Sequence, residues 1–245
     1  MDEAFDLLEE LVSGSRDAAG AWTFVRRFAA ACPIPITDGR DGYDASELDA
    51  VQQAAGCAWP QVLREAYALF GRRDDLTRCQ DRLLEPPQVH VDEPGEILVF
   101  RVENQHVAEW GVALAAVAEL DPPVLFRTDT PGPAGRSWRP FLDRLSLACV
   151  EMILSEWMLS ADTFTDNREL DSESLDALET NFPRLPLPDY PLWADPAGSP
   201  TRWFSIPGAL LRDDAGQWLW VRATSAATIA AVRDFLPGEW LMNAD

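Results

Sequence analysis

Residues 97–112 read ILVFRVENQHVAEWGV, two apolar segments on either side of the polar cluster Glu103, Asn104 and Gln105. Leu98, Phe100 and Val102 alternate onto one face of a strand, and Ala108, Trp110 and Val112 onto one face of the next. The pattern predicts an antiparallel hairpin in a packed sheet, with three hydrogen-bonding side chains at the sheet rim. The turn lacks the Asn-Gly or Asp-Gly pair of the tightest hairpins. Asn104 and Gln105 are therefore expected to bond the hairpin backbone and a neighbouring loop, or to form part of a binding rim.

The segments before the hairpin carry helical periodicity. Residues 3–12 place Ala4, Leu7, Leu8 and Leu11 on one stripe, with Asp2, Asp6, Glu9 and Glu10 largely opposite. A second helical pattern spans 18–31 and stops at Pro33 and Pro35; a third spans 46–55, with Ser46 as its cap and Gly56 past its end. The next helix has Pro60 at its first position and Gly71 at its stop, and Trp59, Leu63, Ala66, Tyr67 and Phe70 share a face.

After the hairpin, a short strand is expected over 124–127 and a loop over 131–135. A long apolar helix is expected from Pro140 to about Leu159. Asp143, Arg144, Glu151 and Glu156 interrupt its apolar runs well short of the roughly 20 residues a bilayer requires. Residues 162–179 are acidic and polar, and 183–200 interleave prolines with Leu185, Leu187, Tyr190, Leu192 and Trp193, which reads as an extended strap. The chain closes on a ββα pattern, with a further strand expected over 201–205, strands over 209–212 and 217–222 and a helix capped by Ser225.

Hairpins and runs of helices, rather than strict alternation, favour an α+β fold: a mainly antiparallel sheet packed by helices on one side. The expected organisation is one domain over 1–245. It has a helical extension (1–45), a core (46–160), an acidic and proline-rich strap (161–200) and a C-terminal ββα segment (201–245).

Charge narrows the function classes. Acidic residues outnumber basic ones 41 to 20, for a formal charge of −21. Such a chain repels phosphate backbones and anionic lipid, so neither nucleic acid nor membrane is an expected partner, whereas a basic protein surface is. All 20 basic residues are arginine. Without lysine, neither a Walker-type phosphate loop nor Schiff-base catalysis is available. The four cysteines, Cys32, Cys57, Cys79 and Cys149, form no CxxC pair, so no metal or redox motif is expected, and a reduced cytoplasmic protein is the simplest account. The opening Met1-Asp2-Glu3 lacks the basic, apolar character of a signal segment.

No GxGxxG, HExxH or GxSxG is present. The strongest catalytic candidate is His106, which a hydrolase would pair with Glu103 or Glu109; a lone histidine at a strand start is more often a satisfied surface group. Trp218 and Trp220 share a strand face and raise the idea of a carbohydrate platform, although tryptophans at such positions are more often core. No catalytic residue, cofactor or metal ligand is assigned.

Taken in order, Trp59-Pro60, Leu63-Arg64, Tyr67, Phe70-Gly71, Leu98-Val99-Phe100, Glu103-Asn104-Gln105 and Trp110 resemble the SUKH superfamily, which includes the fungal cell-wall assembly regulator and many bacterial immunity proteins. The resemblance covers 59–110, extends through the helix ending near Leu159, and leaves 1–45 without a counterpart. It implies an α+β domain without catalysis that binds another protein. For a bacterial immunity-type member, that partner is a toxin, often a nuclease with a basic surface, and the free protein is a monomer. The alternative is an interaction scaffold or regulator of the cell-wall assembly type. Glu103, Asn104, Gln105, Glu109 and Trp110 are the partner-binding or family-marker candidates; Trp59, Pro60, Tyr67, Phe70 and Gly71 are structural markers.

Overall fold

The computed structural model describes residues 5–32, 34–129, 137–160 and 164–242. The expected loop over 131–135, Ala4 of the first helix and Pro33 of the second helix stop lie outside them. The chain opens with α1 (Leu7–Gly14), α2 (Ala18–Ala31), α3 (Ala45–Ala55) and α4 (Gln61–Phe70). Aspartates satisfy the unpaired N–H groups of the first three: Asp6 accepts from Leu8 and Glu9, Asp17 from Gly20, and Asp44 from Glu47. The Glu47 carboxylate returns a bond to the Asp44 N–H, completing a capping box. The cap of α3 is thus Asp44 rather than Ser46, whose hydroxyl donates to the Asp44 carboxylate at 2.6 Å. Gly56 ends the helix with φ of 66°.

Pro60 has ψ of 140°, so it is the extended residue ahead of α4 rather than its first helical one. Within α4, Tyr67 is fully buried, its ring 5.3 Å from that of Trp59, and its hydroxyl donates to the Leu84 carbonyl at 2.6 Å. At Gly71 a Cβ would lie 2.7 Å from the Tyr67 carbonyl oxygen and 2.9 Å from the Tyr43 ring, a close approach that only glycine permits. Trp59, Tyr67 and Gly71 thus fix α4 against its neighbours, and Phe70 is buried on the same helix. The N-terminal residues join the same core: Leu7, Leu11, Phe24 and Phe28 are buried in it, with Phe28 edge-on to Trp157 at 5.5 Å.

A short α5 (Asp74–Thr77) leads into the first sheet, formed by β1 (Asp81–Leu83), β2 (His90–Val91), β3 (Ile97–Glu103), β4 (Ala108–Ala113), β5 (Val124–Thr128) and β6 (Arg139–Leu142). The strands run antiparallel in the order β1-β3-β4-β5-β6, and β2 also pairs with β3. The expected hairpin is β3–β4. Every residue of β3 is buried, on both faces. Its register slips between Val99, which faces Gly111, and Arg101, which faces Trp110. This bulge brings the two strands close at Gly111, where a Cβ would meet the Leu98 carbonyl oxygen at 2.7 Å.

The expected helix start at Pro140 is not observed. Residues around Pro140 form β6 at the sheet edge, where a missing N–H breaks no ladder, and the helix, α6 (Leu145–Leu159), begins later. Its cap comes from a distant residue: Asp121 accepts from the Ser146 N–H at 2.9 Å and from its hydroxyl at 2.5 Å. Almost all of α6 is buried, because it packs on α2, α4 and α5 while touching β6 and the second sheet.

The expected strap is also corrected. Residues 165–206 build β7 (Thr165–Glu169), α7 (Ser172–Asn181), β8 (Tyr190–Leu192) and β9 (Asp195–Ile206); β10 (Ala209–Asp214), β11 (Trp218–Ala223) and α8 (Ala226–Phe235) complete the chain's regular elements. They form a second antiparallel sheet in the order β7-β11-β10-β9-β8. Proline-rich sequence suits β8 because it too is an edge strand. The apolar residues do pin it: Leu185, Leu187 and Tyr190 are buried. The closing ββα is as expected, with Ser225 capping α8 and positive φ at Ala215 and Gly216 in the turn. The fold is α+β. No helix among the described residues is long and apolar enough to cross a membrane.

Tyr67→Phe leaves the buried Leu84 carbonyl without its donor and is expected to lower the unfolding free energy by about 1–3 kcal/mol in urea titrations. Gln105→Ala, at an exposed turn position, is expected to change it by less than about 0.5 kcal/mol.

Candidate functional site

The five candidates at the hairpin do not converge on one site. Glu103 is buried, and its carboxylate accepts from the backbone N–H of Gln105 at 2.7 Å and of Val107 at 3.3 Å, so it braces the turn. This is the bonding expected of Asn104 and Gln105, which instead stand exposed. His106 takes φ of 62° to close the turn, and its Nε2 lies 2.7 Å from a guanidinium nitrogen of Arg82. The histidine–carboxylate pair required of a hydrolase is not formed with Glu103 or Glu109. Glu109 is ion-paired to Arg127 at 2.6 Å. Trp110, the fifth candidate, is buried and turns to the interior.

Trp110 leads to a cavity of about 490 Å³ between the two sheets. The first sheet contributes Asp81, Arg101, Trp110 and Phe141; α6 contributes Glu151, Ser155 and Leu159; the second sheet contributes Tyr190, Thr201, Arg212, Asp214, Trp218 and Trp220. Arg101 lies at its floor, 3% exposed, with its guanidinium 4.5 Å from the centre of the Trp110 ring. It donates to Glu151 at 2.8 Å and to Asp81 at 2.9 Å, and Glu156 lies 3.7 Å away. Glu156 in turn accepts from the backbone N–H of Gln80 at 2.6 Å and of Asp81 at 3.0 Å.

From Glu151 the bonding crosses to the second sheet. Its Oε1 accepts from Ser155 at 2.6 Å and from the Tyr190 hydroxyl at 3.1 Å; the Tyr190 oxygen accepts from the Trp203 indole at 2.8 Å. Arg212 donates to the Ser155 hydroxyl at 3.1 Å and to Asp214 at 3.0 Å, and Trp220 donates to the same Asp214 oxygen at 3.0 Å. Burial raises the carboxyls of Asp81 and Glu156 above the ordinary range, against the pull of Arg101. Burial also works against charge on Arg101, but Glu151, Asp81 and Glu156 outweigh it and hold the guanidinium protonated.

Of the residues singled out in the sequence, Trp110, Trp218 and Trp220 belong to this cavity, as do Glu151 of the long helix and Tyr190, Leu192 and Trp193 of the expected strap. Trp218 and Trp220 are half-buried on its wall rather than in the core, with ring centres 6.4 Å apart. Asp81, Arg101 and Arg212 were not singled out, and Glu151, Glu156 and Tyr190 were named without a site role. Their signal was charge within apolar runs: Arg101 inside ILVFRV, and Glu151 and Glu156 inside the helix read only as too polar for a bilayer. Among the described residues no group of three or more His, Cys, Asp and Glu is arranged to hold a metal ion. Comparison of the chain with family models, curated proteins and solved structures finds no match.

Arg101→Met leaves buried carboxylates without their counter-charge and is expected to cost about 3–5 kcal/mol of unfolding free energy. The raised Glu156 carboxyl binds its proton more tightly in the folded chain than in the unfolded one. Its contribution to stability is therefore full in acid and is lost as pH rises from the ordinary carboxylate range through the raised folded value. Glu156→Gln is expected to flatten that part of the pH–stability curve, read as urea midpoints from acid to neutral pH.

Proposed function

We propose that this chain is a non-catalytic protein-binding module of the immunity type, which neutralises a basic toxin domain by covering it with an acidic surface. The distribution of charge carries the reading. Arginines are consumed internally: Arg27 pairs with Glu10, Arg64 with Asp49, Arg72 with Glu47, Arg73 with Asp41 and Asp75, Arg78 with Asp74 and Glu85, Arg202 with Glu179 and Asp213, and Arg233 with Asp166. Glu9, Glu93, Glu119, Glu173, Asp176, Asp234 and Glu239 are exposed and have no ion pair among the described residues. These residues display part of the surplus behind the net charge of −21 to solvent, where it steers a positively charged partner and repels nucleic acid. The resemblance to SUKH immunity proteins, carried by Trp59-Pro60, Phe70-Gly71 and Glu103-Asn104-Gln105, points the same way.

The test is to recover the partner by copurification and to co-express the chain with it. Rescue of cells from a toxin with a basic C-terminal domain is the expected outcome; failure to rescue, or recovery of regulatory or cell-envelope proteins alone, would overturn the reading. Association should slow by about tenfold or more as salt rises from roughly 50 mM to roughly 500 mM, with little change in dissociation. In stopped-flow or surface-binding kinetics, the pair Glu173→Arg and Asp176→Arg should slow association further; salt-independent rates would count against steering.

A further inference from the structure

We propose that the cavity between the two sheets is a binding site for a neutral saccharide. Its volume of about 490 Å³ lies within the roughly 300–1,000 Å³ typical of small-molecule sites. The exposed residues Ala194 and Gln217 stand at its edge, so it borders solvent. The chemistry of its lining selects the ligand. Trp218 and Trp220, two residues apart on β11, present adjacent rings tilted 55° to one another, with Trp193 also on the lining. Such apolar faces accept the C–H face of a sugar ring.

Polar atoms without a hydrogen-bond partner supply the second observation. The Asp81 Oδ1, Trp110 Nε1, Thr201 Oγ1 and Trp218 Nε1 atoms are all buried and unpartnered, and all four residues line the cavity. Asp81, Trp110 and Thr201 are 7%, 2% and 1% exposed. Leaving such groups unbonded costs about 1–3 kcal/mol each, so a ligand that bonds them gains the difference. Two indole donors, one carboxylate acceptor and one hydroxyl require a ligand that both accepts and donates.

Net charge on the ligand is disfavoured. The carboxylates of Asp81, Glu151 and Asp214 oppose an anion, while the guanidiniums of Arg101 and Arg212 oppose a cation. These four atoms come from β1, β4, β9 and β11, on opposite walls, and the Arg101 Nε on β3 adds a further buried, unpartnered donor to the lining. Hydroxyls ringing a sugar address both walls at once, whereas the polar edge of a nucleobase addresses a limited arc.

The test of this site needs no partner. Glucose, galactose, N-acetylglucosamine and cellobiose are titrated into the intact protein by calorimetry and tryptophan fluorescence, with adenosine as comparator. The expected result is saturable binding of at least one sugar, with a change in tryptophan emission. Trp218→Ala should weaken that binding by about tenfold or more. Thr201→Val preserves shape while removing the hydroxyl, and should weaken it several-fold even where Trp218→Ala disturbs folding. The absence of saturable binding of every sugar up to about 10 mM, tighter binding of adenosine than of any sugar, or affinity unchanged in both variants would overturn the proposal.

Discussion

A single buried guanidinium organises the molecule. Arg101 sits in a strand whose every residue is buried, where an unpaired charge costs several kcal/mol. Asp81 from β1 and Glu151 from α6 bond it directly, Glu156 stands close by, and the Trp110 ring lies against it. These partners come from a neighbouring strand on one side and a helix on another, so the charge is satisfied only when sheet and helix are correctly docked. Glu151 then passes the constraint on, because the same carboxylate receives Tyr190 and Ser155, and Ser155 receives Arg212. A continuous set of hydrogen bonds thus joins the first sheet, α6 and the second sheet. Docking the second sheet elsewhere would leave several of these groups buried and unpaired, a far larger penalty than the loss of an equal number of apolar contacts.

The parts of this arrangement that were legible in the sequence are local. The β3–β4 hairpin was visible because alternation and a polar turn lie within sixteen consecutive residues, and α8 because Ser225 stands directly ahead of its helical pattern. The elements that escaped depend on distant groups. Pro140 looks like a helix start until β5 is present to pair with it, and α6 is capped by Asp121 rather than by anything adjacent. The acidic, proline-rich stretch reads as a strap because β7 and β8 are short edge strands, and only pairing to β11 and β9 makes them strands. Arg101 meets its partners across separations of 20 and 50 residues, so a charge in an apolar strand was visible while its purpose was not.

The hairpin end shows how a conspicuous polar cluster acquires an ordinary role. Glu103, Asn104 and Gln105 look alike as rim residues, but the charged Glu103 carboxylate accepts from the Gln105 and Val107 N–H groups more strongly than a neutral amide oxygen would. Glu103 therefore turns inward as the brace, and the amides are left to water. His106 bears the positive φ that closes the turn, and its ring lies beside Arg82. Chemistry at this end would need a carboxylate beside that ring, and both nearby candidates are committed to other partners.

The two sheets together create what neither has alone. The first sheet brings Arg101 and Trp110 to the cavity, and the second brings Trp218 and Trp220. Bringing them together buries the ions in full but leaves the indoles of Trp110 and Trp218 unmatched, because their N–H groups have no acceptor within the chain's own network. A core evolved for stability alone would replace such indoles with phenylalanine, which fills similar space and needs no partner. The Trp59 indole is likewise buried and unpartnered away from the cavity, so what sets Trp110 and Trp218 apart is their place on its lining. The acidic residues displayed on α7 and α8 share no hydrogen-bond or ion-pair partner with this cavity among the described residues. The surface and the interior are therefore expected to respond to substitution additively, as independent sites do.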